Sequence, residues 1–263
     1  MGQTTTGELA RLQASSGAER MDDEYIIPYL RREPFARMLD VGCGIGRTVP
    51  KLLGLGYEAY GVDLPGPSGF WSRQQRGKNS FICCDACALP FPDGYFDVLT
   101  SLGVIEHIGT IVGDCTLAPG YRQAHRRYAR DLLRVTRPGG RILIARPNKN
   151  FPLDPQHAVS DQASRGGAMM RMREQIFSKT GINIHCPFGA YHLLSYREIE
   201  KLFQEAGAAS VRPLSIKGYF ALSMFDSGLL RPLALPARLY IEHLPRRLWR
   251  SFLNPYVMLE VKK

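Results

Sequence analysis

Three glycines at alternate positions, Gly42, Gly44 and Gly46, follow the apolar run Met38-Leu39-Asp40-Val41, and they constrain this chain more than any other stretch. The run is short enough for a buried strand. Backbone without Cβ atoms can turn tightly and let a ligand approach closely. Thr48-Val49-Pro50-Lys51-Leu52-Leu53 continues as a helix, tolerating Pro50 because it falls in the first turn. Strand, glycine turn and helix make a nucleotide-binding corner. A dinucleotide dehydrogenase would need a third glycine one place later, where this chain has Arg47.

The pattern around that corner is an alternation. Asp22 or Asp23 caps a helix with Tyr25, Ile26, Tyr29 and Leu30 on one face, ending before Pro34. It is either a helix packed on the sheet edge or a flap whose tyrosines close over a ligand. Strands are expected at Glu58–Asp63, Ser80–Cys84, Phe96–Ser101, Arg141–Ala145, about 210–219 and Tyr256–Val261. Between them lie an arginine-rich helix from Tyr121 to Arg137, stopped by Pro138-Gly139-Gly140, and a helix from Ser195 with Glu198 at the capping-box position. Short turns between alternating elements predict an α/β fold, a parallel sheet covered on both faces. With no repeat or low-complexity linker, residues 1–263 are expected to form a single domain. It comprises an N-terminal tail and flap helix (1–35) and two insertions, 147–194 and 221–252.

Composition narrows the partners less than the motifs do. The formal net charge of +10 permits an anionic partner without specifying one. Cys43, Cys83, Cys84, Cys87, Cys115 and Cys186 are few for this length and fall partly in strands, which suits a reducing, cytoplasmic location. No second Cys/His group stands at zinc spacing beside the Cys83-Cys84-Cys87 cluster. No apolar run is long enough to span a bilayer, and Met1–Thr6, which fits a loose myristoylation pattern, is read as a plain flexible tail.

From Met38 to Pro147 the chain resembles the class I S-adenosylmethionine-dependent methyltransferases, particularly those acting on small molecules, quinones and lipids. Asp40-Val41-Gly42-Cys43-Gly44-Ile45-Gly46 is similar to the family's first motif, and Asp63, about 20 residues on, to its ribose acid. Asp85-Ala86, Leu89-Pro90-Phe91-Pro92-Asp93 before Phe96-Asp97-Val98, and Leu133–Gly140 match further motifs in the right order. The resemblance implies a Rossmann-like, doubly wound seven-stranded sheet, mostly parallel with an antiparallel last strand, and helical insertions roofing the active site. It implies S-adenosylmethionine as cofactor and S-adenosylhomocysteine as product. The cofactor would be held by Asp40, Gly42, Cys43, Gly44, Gly46, Asp63, Leu64, Asp85, Ala86, Leu102 and Gly103. Glycines would admit the amino acid tail, Asp63 would accept the ribose hydroxyls, and Asp85 with the Ala86 N–H would meet adenine. Leu64 and Leu89 would wall the pocket.

Methyl transfer is an in-line displacement that gains mainly from positioning, with a base needed where the acceptor must lose a proton. His107, His157, His185 and His192 are the candidate bases, His107, His157 and His192 foremost, with Glu106 and Tyr191 behind them, because imidazole titrates near neutral pH. Some quinone and small-RNA methyltransferases hold a divalent metal with an acid three residues before a Glu-His pair. Here that place is Gly103, so no metal is expected. The expected acceptor is a largely apolar small molecule, with Phe151, Met169, Met170, Met172, Phe177, Phe188 and Tyr191 as an adaptable lining. The alternatives are a nucleic-acid methyltransferase or a non-catalytic binding protein. Nucleic acid is not the expected partner, because Ser101-Leu102-Gly103 stands where base-amine methylases carry an Asn/Asp-Pro-Pro-Tyr segment. The basic, amphipathic 221–252 stretch could close the pocket, support a dimer or touch a membrane surface.

Overall fold

The computed structural model describes residues 21–74, 76–111, 116–154, 157, 168–180, 182–185, 190–219 and 228–263. The tail before Met21, together with Cys115, Cys186 and Phe188, lies outside them, as do the side chains of Met169 and Met170. A π-helical turn, Asp22–Ile26, runs into α1 (Ile27–Leu30). There follow β1 (Arg37–Val41), α2 (Thr48–Gly54), β2 (Glu58–Asp63), α3 (Ser68–Trp71), β3 (Phe81–Cys83), β4 (Phe96–Leu102), α4 (Tyr121–Val135) and β5 (Thr136–Pro147). The remainder is β6 (Leu153–Asp154), α5 (Ala168–Thr180), β7 (Asn183–Ile184), α6 (Tyr196–Glu205), β8 (Ser210–Pro213), α7 (Ala234–Glu242) and β9 (Tyr256–Lys262).

Seven strands form one sheet in the order β3-β2-β1-β4-β5-β9-β8. The first five run parallel, and β9 is antiparallel to both of its neighbours, β5 and β8. Helices cover both faces, so the central strands are apolar along their whole length rather than alternating. Leu39, Val41, Leu99, Ile142 and Ile144 face α4 and α6 through Tyr128, Leu132, Ile199 and Phe203. Met38, Val98, Leu143 and Ala145 face the other way, toward Ile26, Leu30, Val49, Leu52 and Ile241. The chain moves out from β1 to β3 and then returns to place β4 on the other side of β1. The carboxyl ends of β1 and β4 therefore flank the crevice where ligands of such sheets bind.

Several elements differ from their expected form. The strand β5 begins at Thr136, before the expected Arg141, because Pro138-Gly139-Gly140 makes a bulge whose register shifts against β4. The eighth strand is shorter than expected, ending at Pro213. The first insertion carries a two-stranded sheet, β6-β7, that alternation did not reveal. At α6 the expected capping box is present, with Ser195 and Glu198 each bonding the other's backbone N–H. The arginine-rich face of α4 is exposed at Arg126, Arg127 and Arg130, while Arg134 staples the Leu89–Asp93 turn through the Leu89 and Phe91 carbonyls and Asp93.

The tyrosines of the N-terminal helix turn into the protein rather than over the crevice. Tyr25 donates to the Ser215 carbonyl and packs edge-on against Tyr219, and the Tyr29 hydroxyl donates to Glu260. No helix among the described residues is long and apolar enough to cross a membrane.

Candidate active site

Gly42, Gly44 and Gly46 all adopt positive φ, at 74°, 54° and 79°. Side chains rarely enter that region, so the alternate glycines are a backbone requirement. Space adds a second one: a Cβ on Gly42 would stand 2.2 Å from Val104 Cγ2. The loop is then held from three sides. Asp63, at the end of β2, accepts from the Gly44 N–H through Oδ2 and from the Leu64 N–H through Oδ1, both at 2.7 Å. Trp71, stacked on Phe81, donates its indole N–H to the Gly44 carbonyl at 2.7 Å, and Gln74 donates to the Ile45 carbonyl. Arg47 reaches back to Asp22 with Nε–Oδ2 and Nη2–Oδ1 distances of 2.5 and 3.0 Å. The residue that rules out the dehydrogenase motif thus straps the N-terminal helix to the glycine loop.

Electrostatics separate the two acids of this corner. Asp40 is buried between β1 and β4, and Thr100 donates to its Oδ1 at 2.7 Å. Burial lifts its carboxyl to about 7, with the Thr100 bond opposing and the neighbouring Asp22 and Asp63 charges partly offset by Arg47. Burial also raises Asp63, against the pull of its two backbone donors. Asp85 lies in an exposed turn, its Oδ1 accepting from the Cys87 N–H. The Ala86 N–H bonds to no described residue. Leu64 exposes half of its surface beside Asp63, whereas Leu89 is built into the core. Cys43 is buried within the turn, with its sulfur lying over Gly61, and Gly103 takes φ 71° after Leu102.

Beyond the end of β4, side chains from three separate segments converge. His107, on a 3₁₀ turn (Ile105–His107), has its ring centroid 5.2 Å from that of His157, which is 4.8 Å from that of His192. Asp154, fully buried on β6, holds His157 Nδ1 at 3.0 Å from both carboxylate oxygens, and its Oδ2 is 3.7 Å from His192 Nε2. Burial lowers His157, but the Asp154 charge and hydrogen bond more than offset it, so its pKa is raised. His192 is shifted strongly down by burial and by His157. His107 keeps an exposed face, yet the packed side of its ring lowers its pKa, with Glu106 opposing. Glu106 is completely buried, and neither of its oxygens has a hydrogen-bond partner among the described residues. The same holds for both nitrogens of His192 and both terminal nitrogens of the buried Arg146.

Three of the four candidate bases, His107, His157 and His192, therefore form one cluster although 50 and 35 residues separate them in turn. His185 stands one ring further out, stacked on Tyr191, which packs on His192, and its Nε2 bonds the Lys149 carbonyl. Sequence reasoning missed Trp71, Gln74, Arg146, Asp154 and Asn148. Asn148 ties the two insertions together by donating to the Ser251 and Asn254 carbonyls. Only Asp154 carried a usable signal, an acid three residues before a histidine.

A seven-stranded sheet in this order, with a left-handed glycine loop after β1 and an acid closing β2, defines the fold of class I methyltransferases. The family model described as a methyltransferase domain matches residues 39–144, the stretch that builds this corner. Residues 39–144 are therefore a class I S-adenosylmethionine-dependent methyltransferase domain. It is 28% identical over 131 residues to the demethylmenaquinone methyltransferase of Beutenbergia cavernae, covering 50% of this chain and 49% of that one. It is 26% identical over 212 residues to the ajmaline N-methyltransferase of Rauvolfia serpentina, covering 74% and 63%. The phosphoethanolamine N-methyltransferase 2 of Haemonchus contortus, solved with S-adenosyl-L-methionine, superposes with a TM-score of 0.57 at 15% identity, over 99% of this chain and 58% of that one. The chain thus spans about half to two thirds of the length of these relatives. The acceptors in the relatives' names run from a quinone and alkaloids to tocopherol and tRNA, so the shared donor half does not decide the acceptor.

Proposed function

We propose that this chain transfers the methyl group of S-adenosylmethionine to a largely apolar small-molecule acceptor. The observation that carries this reading is the placement of the histidine cluster past the end of β4, the strand beside the glycine corner, with His107 exposed at its mouth. A donor in the corner and an acceptor at the cluster would lie side by side. The similarity to the ajmaline enzyme supports a small acceptor, because it extends well past the donor half.

On this reading the left-handed loop at Gly42, Gly44 and Gly46 admits the amino acid tail, with Cys43, Leu102 and Gly103 around it. Asp63 has lone pairs left for the ribose hydroxyls after its two backbone bonds, and the Ala86 N–H with the second oxygen of Asp85 meets adenine. Leu64 offers its exposed face to the adenine ring. Burial favours the protonated form of Asp40, and the approach of the cofactor's ammonium would draw the proton off, since an opposite charge favours the ionised form. The bound cofactor supplies an activated methyl; the protein's part is to align the acceptor and exclude water. His107 is the residue placed to take a proton from a hydroxyl acceptor, with Glu106 behind it stabilising the imidazolium that results. A peripheral contact with a membrane or a second copy belongs to the same reading. Exposed Leu233, Leu235, Leu239, Tyr240 and Phe252 beside Arg231, Arg246 and Arg247 support it.

Incubation with methyl-labelled S-adenosylmethionine and separate panels of phenols, isoprenoids, lipids and RNA tests the proposal. Label should enter an apolar small molecule and drop sharply in His107→Ala. Transfer to RNA alone would replace the acceptor class, and failure to bind S-adenosylhomocysteine would end the enzyme reading.

A further inference from the structure

We propose that Asp154, His157 and His192 form a binding site for one divalent first-row transition ion, a role separate from the proton chemistry assigned to His107. The sequence carries no recognisable metal motif, since Gly103 stands where an acid would complete a Glu-His set. The fold supplies a different donor set from the first insertion and the entry to α6.

Two of the donor separations match those around an ion. With metal–ligand bonds of about 2.1 Å, neighbouring donor atoms should be about 3.0–4.2 Å apart. Asp154 to His157 Nδ1 is 3.0 Å and Asp154 Oδ2 to His192 Nε2 is 3.7 Å, and one donor atom from each of the three residues lies within 4.8 Å of the others. Glu106, His107 and His157 meet the same limit, so a further carboxylate stands next to the site. Two imidazoles and a carboxylate suit zinc or iron(II) better than magnesium or calcium, which prefer oxygen alone.

Burial makes a bare cluster costly. Asp154, His192 and Glu106 are fully enclosed, and His192 bonds through neither nitrogen among the described residues, as Glu106 bonds through neither oxygen. A buried polar group without a partner costs about 1–3 kcal/mol, and more when charged. Arg146 is the competing explanation, since its buried guanidinium lies in the same field. Its terminal nitrogens make no hydrogen bond to Glu106 or His192. The two unpartnered nitrogens of the buried His192 therefore remain for a cation. Bound there, the ion would pin β6 and His157 to the start of α6, fixing the first insertion over the end of β4.

The test uses the full chain without a histidine tag, stripped with chelator, then titrated with Co²⁺ and Zn²⁺ by calorimetry and visible spectroscopy. One equivalent should bind, with cobalt bands of nitrogen and oxygen ligation, and the melting temperature should rise. His192→Gln should weaken binding at least 100-fold and Asp154→Asn at least 10-fold. S-adenosylhomocysteine affinity, unchanged in both variants, reports that the fold is kept whatever the enzyme's acceptor. Absence of saturable binding would overturn the proposal. So would thiolate-to-cobalt charge transfer, which would place the ion on Cys83, Cys84 and Cys87, or full affinity in His192→Gln.

Discussion

Replacing Asp63 with alanine separates the loop-bracing part of this carboxylate from the donor-binding part proposed for it. Its carboxylate accepts two backbone N–H bonds at 2.7 Å, from Gly44 and Leu64. Hydrogen bonds to a charged acceptor are each worth about 1.5–3 kcal/mol, but Asp63 is only half-buried and water can reach the released donors. The expected loss of stability is therefore modest, about 1–2 kcal/mol. Donor affinity should suffer more, because the ribose loses its acceptor and the Gly44 turn loses its brace together. A loss of about 2–3 kcal/mol corresponds to roughly 30- to 150-fold weaker binding. Asp63→Asn should behave much like alanine, since its NH₂ must face one of two backbone donors. Calorimetry with S-adenosylhomocysteine gives the affinity, and urea melts of the free protein give the stability. An unchanged dissociation constant in a folded Asp63→Ala protein would refute the placement of the ribose at the end of β2.

Other perturbations probe the same corner. Asp40, raised to about 7, keeps a proton that the unfolded chain releases near pH 4, so the wild type should lose stability as pH rises between those values. In Asp40→Asn that slope should vanish, giving the variant an advantage that grows by about 2–4 kcal/mol from pH 4 to 8 in urea melts. Arg47→Met leaves Asp22, 1% exposed, with only the more distant Lys51 at 3.9 Å. It should cost about 2–4 kcal/mol in denaturant melts, largely recovered by adding Asp22→Asn. Gly42→Ala meets both the φ of 74° and Val104, so it should destabilise by at least about 2 kcal/mol, with Val104→Ala relieving only the steric share.

The glycine corner was legible in the sequence because its geometry is carried by contiguous residues. Alternate glycines need positive φ, and an acid closing the next strand needs only the βαβ repeat to bring it alongside. The acceptor end was not, because its geometry comes from long-range packing. His107, His157 and His192 could be named as candidates, but nothing in their spacing said that they meet around Asp154. Nor did the pattern show that Tyr25 and Tyr29 point into the sheet: one apolar face on a helix fits a packed edge and a flap equally well. Gly103 left the Glu106-His107 pair without a third acid nearby in sequence, and Asp154, which stands beside His157 and His192, gave no sign of that contact.

The slot occupied by β9 has a consequence for how the molecule assembles. The parallel half, β3-β2-β1-β4-β5, closes through crossovers of short span, and with it the entire glycine corner. β9 must instead return across about a hundred residues to lie between β5 and β8, a closure whose entropic cost precedes its contacts. Its approach also fixes Asn148, whose N–H donates to the Pro255 carbonyl, and so the start of the first insertion. On loop-closure grounds the glycine corner is expected to form in the early, local part of folding and the β9 end later. A refolding time course should regain S-adenosylhomocysteine binding before it regains methyl transfer.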